Sequence, residues 1–288
     1  MRFFITDVFG DEKYSGNQLA TYIVDSRLTD REMQQIAHEI QFSESTFILS
    51  ETPGDNGYGV RIFSPGEELE FAGHPTLGTA LIIKDRLIKR PVAAVTLDLK
   101  VGPIPVSFSG DGFLWMNQIS PEFRDISERD ILLKMLSLPV EALHPDFPVE
   151  QVSTGLPHIL IPIKNLEYLK RAKVEKDLYF KIIEKTWAKN VLIFCPEGYT
   201  DKHDISVRMF ADHLGIPEDP ATGSGNGCLA GYLVKHRFFG SDEIKINVAQ
   251  GYEIKRPSLL RLHAARKGSE IKISVGGKVR LIAEGNWL

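Results

Sequence analysis

The chain has 288 residues, about two domains at roughly 150 residues each, with 43% hydrophobic residues, 25% charged residues and a net charge of −4. This supplies material for a core and excludes a mainly disordered chain, and the acidic balance cannot neutralise a phosphate backbone, so no nucleic-acid partner is expected. No run of 18 apolar residues occurs and Met1-Arg2-Phe3-Phe4-Ile5-Thr6-Asp7 turns acidic too early for a secretory signal, so a cytoplasmic protein without a membrane partner is expected.

The first strand is expected over Phe3 to Phe9. Thr29-Asp30-Arg31-Glu32 is a capping box, followed by Met33, Ile36, Ala37 and Ile40 at helical spacing. Thr46 to Leu49 and Val60 to Phe63 read as strands. Val95, Leu97, Leu99 and Val101 alternate, as do Ile104, Val106 and Phe108, and the intervening Gly102-Pro103 suggests a hairpin. Gly112 to Asp125, with Pro121 near its end, reads as the boundary between two halves. Ser127-Glu128-Arg129-Asp130 can cap a helix running through Met135 and Leu136. Val152-Ser153, His158 to Ile163, Val191 to Phe194 and Ile205 to Phe210 are further strands, and Asp177 to Lys189 is an amphipathic helix. The tail adds period-2 segments at Ile244 to Val248, Leu259 to His263, Ile271 to Val275 and Val279 to Leu281. Strands and helices do not alternate one for one, which points to an α+β fold and away from a doubly wound parallel sheet.

Cysteine and histidine usage narrows the chemistry. There are two cysteines and eight histidines, with no His-x-x-x-His pair and no neighbouring cysteines, so neither a metal site nor a disulfide framework is expected. Cys195 ends an apolar strand and Cys228 lies in a helix of small residues; both read as packing residues.

Arg61-Ile62-Phe63-Ser64 recurs 147 residues later as Arg208-Met209-Phe210-Ala211. Each copy leads through an acidic, Pro-containing loop into a small-residue segment, Ala72 to Leu81 and Ala221 to Gly231, that turns apolar at helical spacing. The shared order of strand, loop, Gly turn and helix indicates a duplicated design. So many small residues suggest central helices packed against close backbone. A Gly-rich turn opening a helix presents unpaired N–H groups and the positive end of the dipole, which suits a carboxylate or phosphate. Gly223-Ser224-Gly225-Asn226-Gly227-Cys228 matches neither the dinucleotide fingerprint nor a phosphate loop.

Ser43-Glu44-Ser45-Thr46-Phe47 puts Glu44 at the entry to an apolar strand, where desolvation would suit it to proton transfer. From the motif alone, Glu44 could equally be a glutamate bonded to local N–H groups, Asp219 a loop-capping aspartate before Pro220, and His74 a packed or capping histidine.

Taken together, Ser15-Gly16-Asn17, Phe42-Ser43-Glu44-Ser45-Thr46-Phe47, Arg61-Ile62-Phe63-Ser64-Pro65, Phe71-Ala72-Gly73-His74-Pro75-Thr76-Leu77-Gly78, Glu218-Asp219-Pro220-Ala221-Thr222-Gly223-Ser224 and Glu284-Gly285-Asn286-Trp287 resemble the PhzF family of phenazine biosynthesis. The resemblance implies the diaminopimelate epimerase-like fold, two pseudo-symmetric halves each with a curled sheet around a central helix and the site between them. It places the first half at residues 1–115, with a closing strand at about 277–288 returning to it, and the second at 116–276. It implies a cofactor-independent isomerase acting on a small carboxylate-bearing substrate, cyclic or an amino acid, and a homodimer. By motif, Glu44 corresponds to the general acid/base, with His74 and Asp219 as catalytic partners. Asn17, Ser43, Gly73, Gly223 and Ser224 correspond to substrate-binding positions. The wider epimerase superfamily uses two opposed cysteines at the Gly turns. Here Ala72 and Thr222 stand there and no cysteine precedes Cys195, which excludes a two-thiol racemase. An epimerase with non-thiol bases and a non-catalytic small-anion binder remain as alternatives.

Overall fold

A computed structural model describes every residue except 25–27 and 127–128, so the proposed cap at Ser127 to Asp130 lies outside the residues whose side chains are described. The described residues divide into two units, Met1–Asn117 with Gly276–Leu288, and Gln118–Val275.

In the first unit β1 (Arg2–Val8) pairs antiparallel with β2 (Asn17–Ile23). Helix α1 (Asp30–Ile40) then allows β3 (Glu44–Ile48) to run parallel to β2. The capping box that opens α1 is complete: the Thr29 side chain accepts from the Glu32 N–H and the Glu32 carboxylate accepts from the Thr29 N–H. β4 (Tyr58–Phe63) is antiparallel to β3 and makes a hairpin with β5 (Glu68–Leu69). Helix α2 (Gly73–Ile82) follows and runs into a π-helical turn, Ile83–Ile88. β6 (Ala94–Leu99), β7 (Gly102–Phe108) and β8 (Leu114–Gln118) form an antiparallel meander. The turn between β6 and β7 is Lys100-Val101 rather than Gly102-Pro103. Gly102, at φ +104°, pairs with Leu99 and supplies a left-handed step that a side chain would resist.

Helix α2 packs against β1, β2, β3, β6 and β7. Nine of its ten residues are buried, so it has no polar face, as a helix enclosed by sheet requires. The approach is close enough that a Cβ on Gly78 would lie 2.4 Å from Leu19 Cδ2. Hydroxyls join across the gap: Thr79 Oγ1 donates to Thr46 Oγ1 at 2.8 Å, which donates to Thr21 Oγ1 at 2.9 Å.

The second unit repeats this plan with an added helical layer. β9 (Glu122–Asp125) leads to α3 (Arg129–Met135), and β10 (Glu150–Ser153) pairs with β9 and with β11 (Pro157–Pro162). Helices α4 (Leu166–Arg171) and α5 (Lys176–Ile183) precede β12 (Asn190–Cys195), which is parallel to β11. The helix expected to reach Lys189 ends at Ile183, and residues 184–189 turn into β12. β13 (Ile205–Ala211) is antiparallel to β12 and makes a hairpin with β14 (Ile216–Asp219). The central helix α6 (Gly223–Lys235) follows, with twelve of its thirteen residues buried, packed against β10, β11, β15 (Glu243–Gln250) and β16 (Ser258–Lys267). The stretch Gly112 to Asp125, expected as the boundary, contains β8 and β9 and the division between the units at Asn117 and Gln118. β17 (Glu270–Gly277) closes this half, and β18 (Val279–Asn286) returns to the first unit, antiparallel to β1. Both cysteines are buried and unbridged. The mixed, largely antiparallel arrangement is α+β, as read from the sequence.

Candidate active site

In the first unit the route from sequence to site begins at Gly16. It adopts φ +76°, and a Cβ there would meet the Val8 carbonyl oxygen at 2.3 Å. Only glycine fits without displacement, and the turn it makes aims Asn17, buried at the head of β2, at the first turn of α2. There His74, 4% exposed, lies with Nδ1 3.2 Å from Asn17 Nδ2. Its other ring nitrogen, Nε2, is 3.3 Å from Oε2 of Glu44, the first residue of β3. Which of Asn17 and His74 donates in this contact depends on the imidazole tautomer, so the ring is held between the Asn17 amide and the Glu44 carboxyl without a fixed proton position.

The Glu44–His74 contact is within ion-pair distance, but His74 is not a cation. Burial holds its pKa down to about 3, against a smaller opposing effect from a backbone hydrogen bond with Gln18. The pair is thus a neutral imidazole beside a carboxyl group. Nε2 makes no aligned hydrogen bond. Ser43 sits partly buried at the mouth of β3, and Gly73 is the first residue of α2. The residue before it, Ala72, has no side chain with which to cap the first turn.

In the second unit Asp219 ends β14 and is buried. Thr222, the N-cap of α6, does not bond its own first turn; its hydroxyl is turned to Asp219 Oδ2 instead. Gly223 and Ser224 open the helix, both buried. Gln250, at the end of β15 and fully buried, belongs to none of the sequence motifs. Its amide donates to Asp219 O at 2.9 Å and to Thr222 Oγ1 at 3.0 Å, and accepts from Thr222 N at 3.2 Å and from Asn226 Nδ2 at 2.9 Å. The sequence signal was slight: one polar residue ending the apolar Val248-Ala249 pair before Gly251.

The repeated arginines hold the turns that lead to both groups. Arg61 of β4 grips Glu68 of β5 through Nε and Nη2, each at 2.7 Å. This pairing, with Lys100 alongside, holds the Glu68 carboxyl down to about 2. Arg208 of β13 grips Glu218 of β14 in the same bidentate way, at 3.0 and 2.7 Å, one residue before Asp219. Each fork fastens a β-hairpin whose continuation is the Gly turn of a central helix.

The profile of the PhzC-PhzF family, described as phenazine biosynthesis-like protein, matches residues 6–285. A trans-2,3-dihydro-3-hydroxyanthranilate isomerase of Pseudomonas aeruginosa is 31% identical, the match covering 99% of this chain and 98% of that protein. A Bacillus anthracis phenazine biosynthesis protein of the PhzF family superposes with a TM-score of 0.89 at 27% identity, over 100% of this chain and 99% of the other. A probable proline racemase from Agrobacterium radiobacter shares the fold, with a TM-score of 0.64 at 8% identity over 100% and 92% of the two chains. With its profile matched over nearly the whole chain and named isomerases among its relatives, this protein is an isomerase of the phenazine biosynthesis-like PhzF family.

Proposed function

We propose that this isomerase needs no cofactor and uses Glu44 to move a proton between carbons of a small cyclic substrate bearing a carboxylate. The observation that carries this reading is the arrangement of Glu44, His74 and Asn17 at the N-terminus of α2. As base, Glu44 takes a proton from one ring carbon; the C–H electron pair forms a new double bond to the adjoining carbon, and the π pair of the existing double bond moves to its far carbon. As acid, the same carboxyl returns the proton to another carbon, so the double bond migrates and no atom is gained or lost. A charged imidazolium beside Glu44 would favour its anion and oppose the first step; a neutral one does not. Asn17 keeps the ring oriented. We assign Asp219 as a further catalytic partner, and Asn17, Ser43, Gly73, Gly223 and Ser224 to substrate binding. Support for these roles comes from the motif pattern and from the burial of each residue except Ser43.

The probe is trans-2,3-dihydro-3-hydroxyanthranilate, the compound in the name of the P. aeruginosa relative. Glu44→Gln keeps the size and hydrogen bonding of the side chain but cannot shuttle a proton. Turnover is expected to fall by about 10²–10⁴-fold, the usual contribution of general acid/base catalysis, with an unchanged circular dichroism spectrum. A Gln variant that turns over the probe at the wild-type rate would overturn the mechanism.

A further inference from the structure

The network around Asp219 has a direction, and the backbone sets it. Thr222 N can only donate and Asp219 O can only accept, and both bond the Gln250 side chain. Gln250 Oε1 must therefore face the Thr222 N–H, and Nε2 must face the Asp219 carbonyl. Turning the amide over would set N–H against N–H and oxygen against oxygen. Asn226 reinforces the choice: its Nδ2 gives one hydrogen to Thr222 O and the other to Gln250 Oε1, at 3.0 and 2.9 Å.

With Gln250 fixed, its second Nε2 hydrogen points to Thr222 Oγ1 at 3.0 Å. The threonine oxygen is then an acceptor on that side, and its own proton goes to its remaining partner, Asp219 Oδ2. A proton on Asp219 Oδ2 would leave the hydroxyl proton without an acceptor, at a cost comparable to other unsatisfied buried groups.

We propose that Gln250 is a positioning residue, acting through Thr222, that keeps Asp219 Oδ2 an unprotonated hydrogen-bond acceptor. Asp219 then handles the substrate as a carboxylate that takes N–H or O–H donors and repels the substrate's own carboxylate. This rests on Asp219 belonging to the reaction machinery proposed above, but the hydrogen-bond direction can be read without substrate.

Neutron diffraction from crystals of the deuterated wild-type protein decides it directly. The Thr222 deuteron is expected on the line to Asp219 Oδ2, with both Gln250 Nε2 deuterons directed at Asp219 O and Thr222 Oγ1. A deuteron on Asp219 Oδ2, or a Thr222 deuteron directed at Gln250, overturns the proposal. In solution, infrared difference spectra with carboxyl-labelled aspartate, referenced to Asp219→Asn, report the Asp219 carboxylate stretch. Thr222→Val and Gln250→Met are each expected to shift that band, and Thr222→Ser, which keeps the hydroxyl, to restore it. A band at the wild-type position in either Thr222→Val or Gln250→Met overturns the proposal even if Glu44→Gln abolishes turnover. The shifts with an active Glu44→Gln leave it standing and remove only the proton-shuttle reading.

Discussion

His74 and His158 are both buried and both held neutral. Desolvation is the main cause in each, bringing His74 down to about 3 and His158 to about 4, while a hydrogen bond from His158 Nδ1–H to the Leu156 carbonyl partly opposes it at His158. In the unfolded chain these rings titrate near 6.5. Between that value and the folded pKa the unfolded state binds more protons, so stability rises with pH and is lost as pH falls. Each ring is expected to contribute a slope of up to ~1.4 kcal/mol per pH unit below about pH 6.5, continuing to about 3 for His74 and 4 for His158. Urea midpoints between pH 7 and 4 for wild type and His158→Gln measure it, and an equal acid sensitivity in both would contradict it. At this scale the sequence was informative about residue types and silent about partners. Glu44 and His74 were recognisable from their motifs, but their contact spans 30 positions. Gln250 could not be recognised, because a buried glutamine at a strand end differs from a surface one only in its surroundings.

The two arginine forks show that similar elements need not carry similar energies. Arg208 and Glu218 are each 8% exposed at the side chain, and Arg208 Nη1 also donates to the carbonyls of Leu169, Lys170 and Ala172, closing the C-terminal end of α4. Arg208→Ala leaves a buried carboxylate and three carbonyls without that donor, and a loss of about 3–5 kcal/mol is expected. Arg61 is 20% exposed and its second partner Asp30 82%, so Arg61→Ala is expected to cost only about 1 kcal/mol. Equal losses for the two, measured by urea denaturation, would refute the comparison. Gly16→Ala forces a side chain against the Val8 carbonyl in a left-handed turn. It is expected to cost about 1–3 kcal/mol and to loosen the Asn17–His74 contact, seen as a change in the His74 ring resonances. Elements with strict alternation or a capping box, such as β6, β7 and α1, were legible. β2 was not, because six of its seven residues are buried and periodicity vanishes when both faces are covered. β8 and β9 carry no periodic signal because they are short and flank Pro121.

At the scale of the whole molecule, both ends of the chain lie in one unit. The Met1 ammonium donates to Trp287 O at 3.0 Å, β18 covers the edge of β1, and the Trp287 ring packs edge-on against Phe3 and Tyr22 at 5.8 and 5.4 Å. Removing Val279 to Leu288 would bare the edge of β1 and one side of Tyr22, an invitation to aggregation. The truncated chain is expected to be recovered mainly as insoluble protein, and a soluble product with wild-type near-ultraviolet dichroism would contradict this. The internal repeat was visible as a four-residue echo, and its structural counterpart is the hairpin, fork and Gly-opened helix found in each unit. The closing strand also sets an order on synthesis. A ribosome delivers every residue of Gln118–Val275 before it delivers β18, so the second unit can finish folding on a chain whose first unit still lacks an edge. Until β18 emerges, the edge of β1 that it covers stays open on the nascent chain, a template for pairing with other strands.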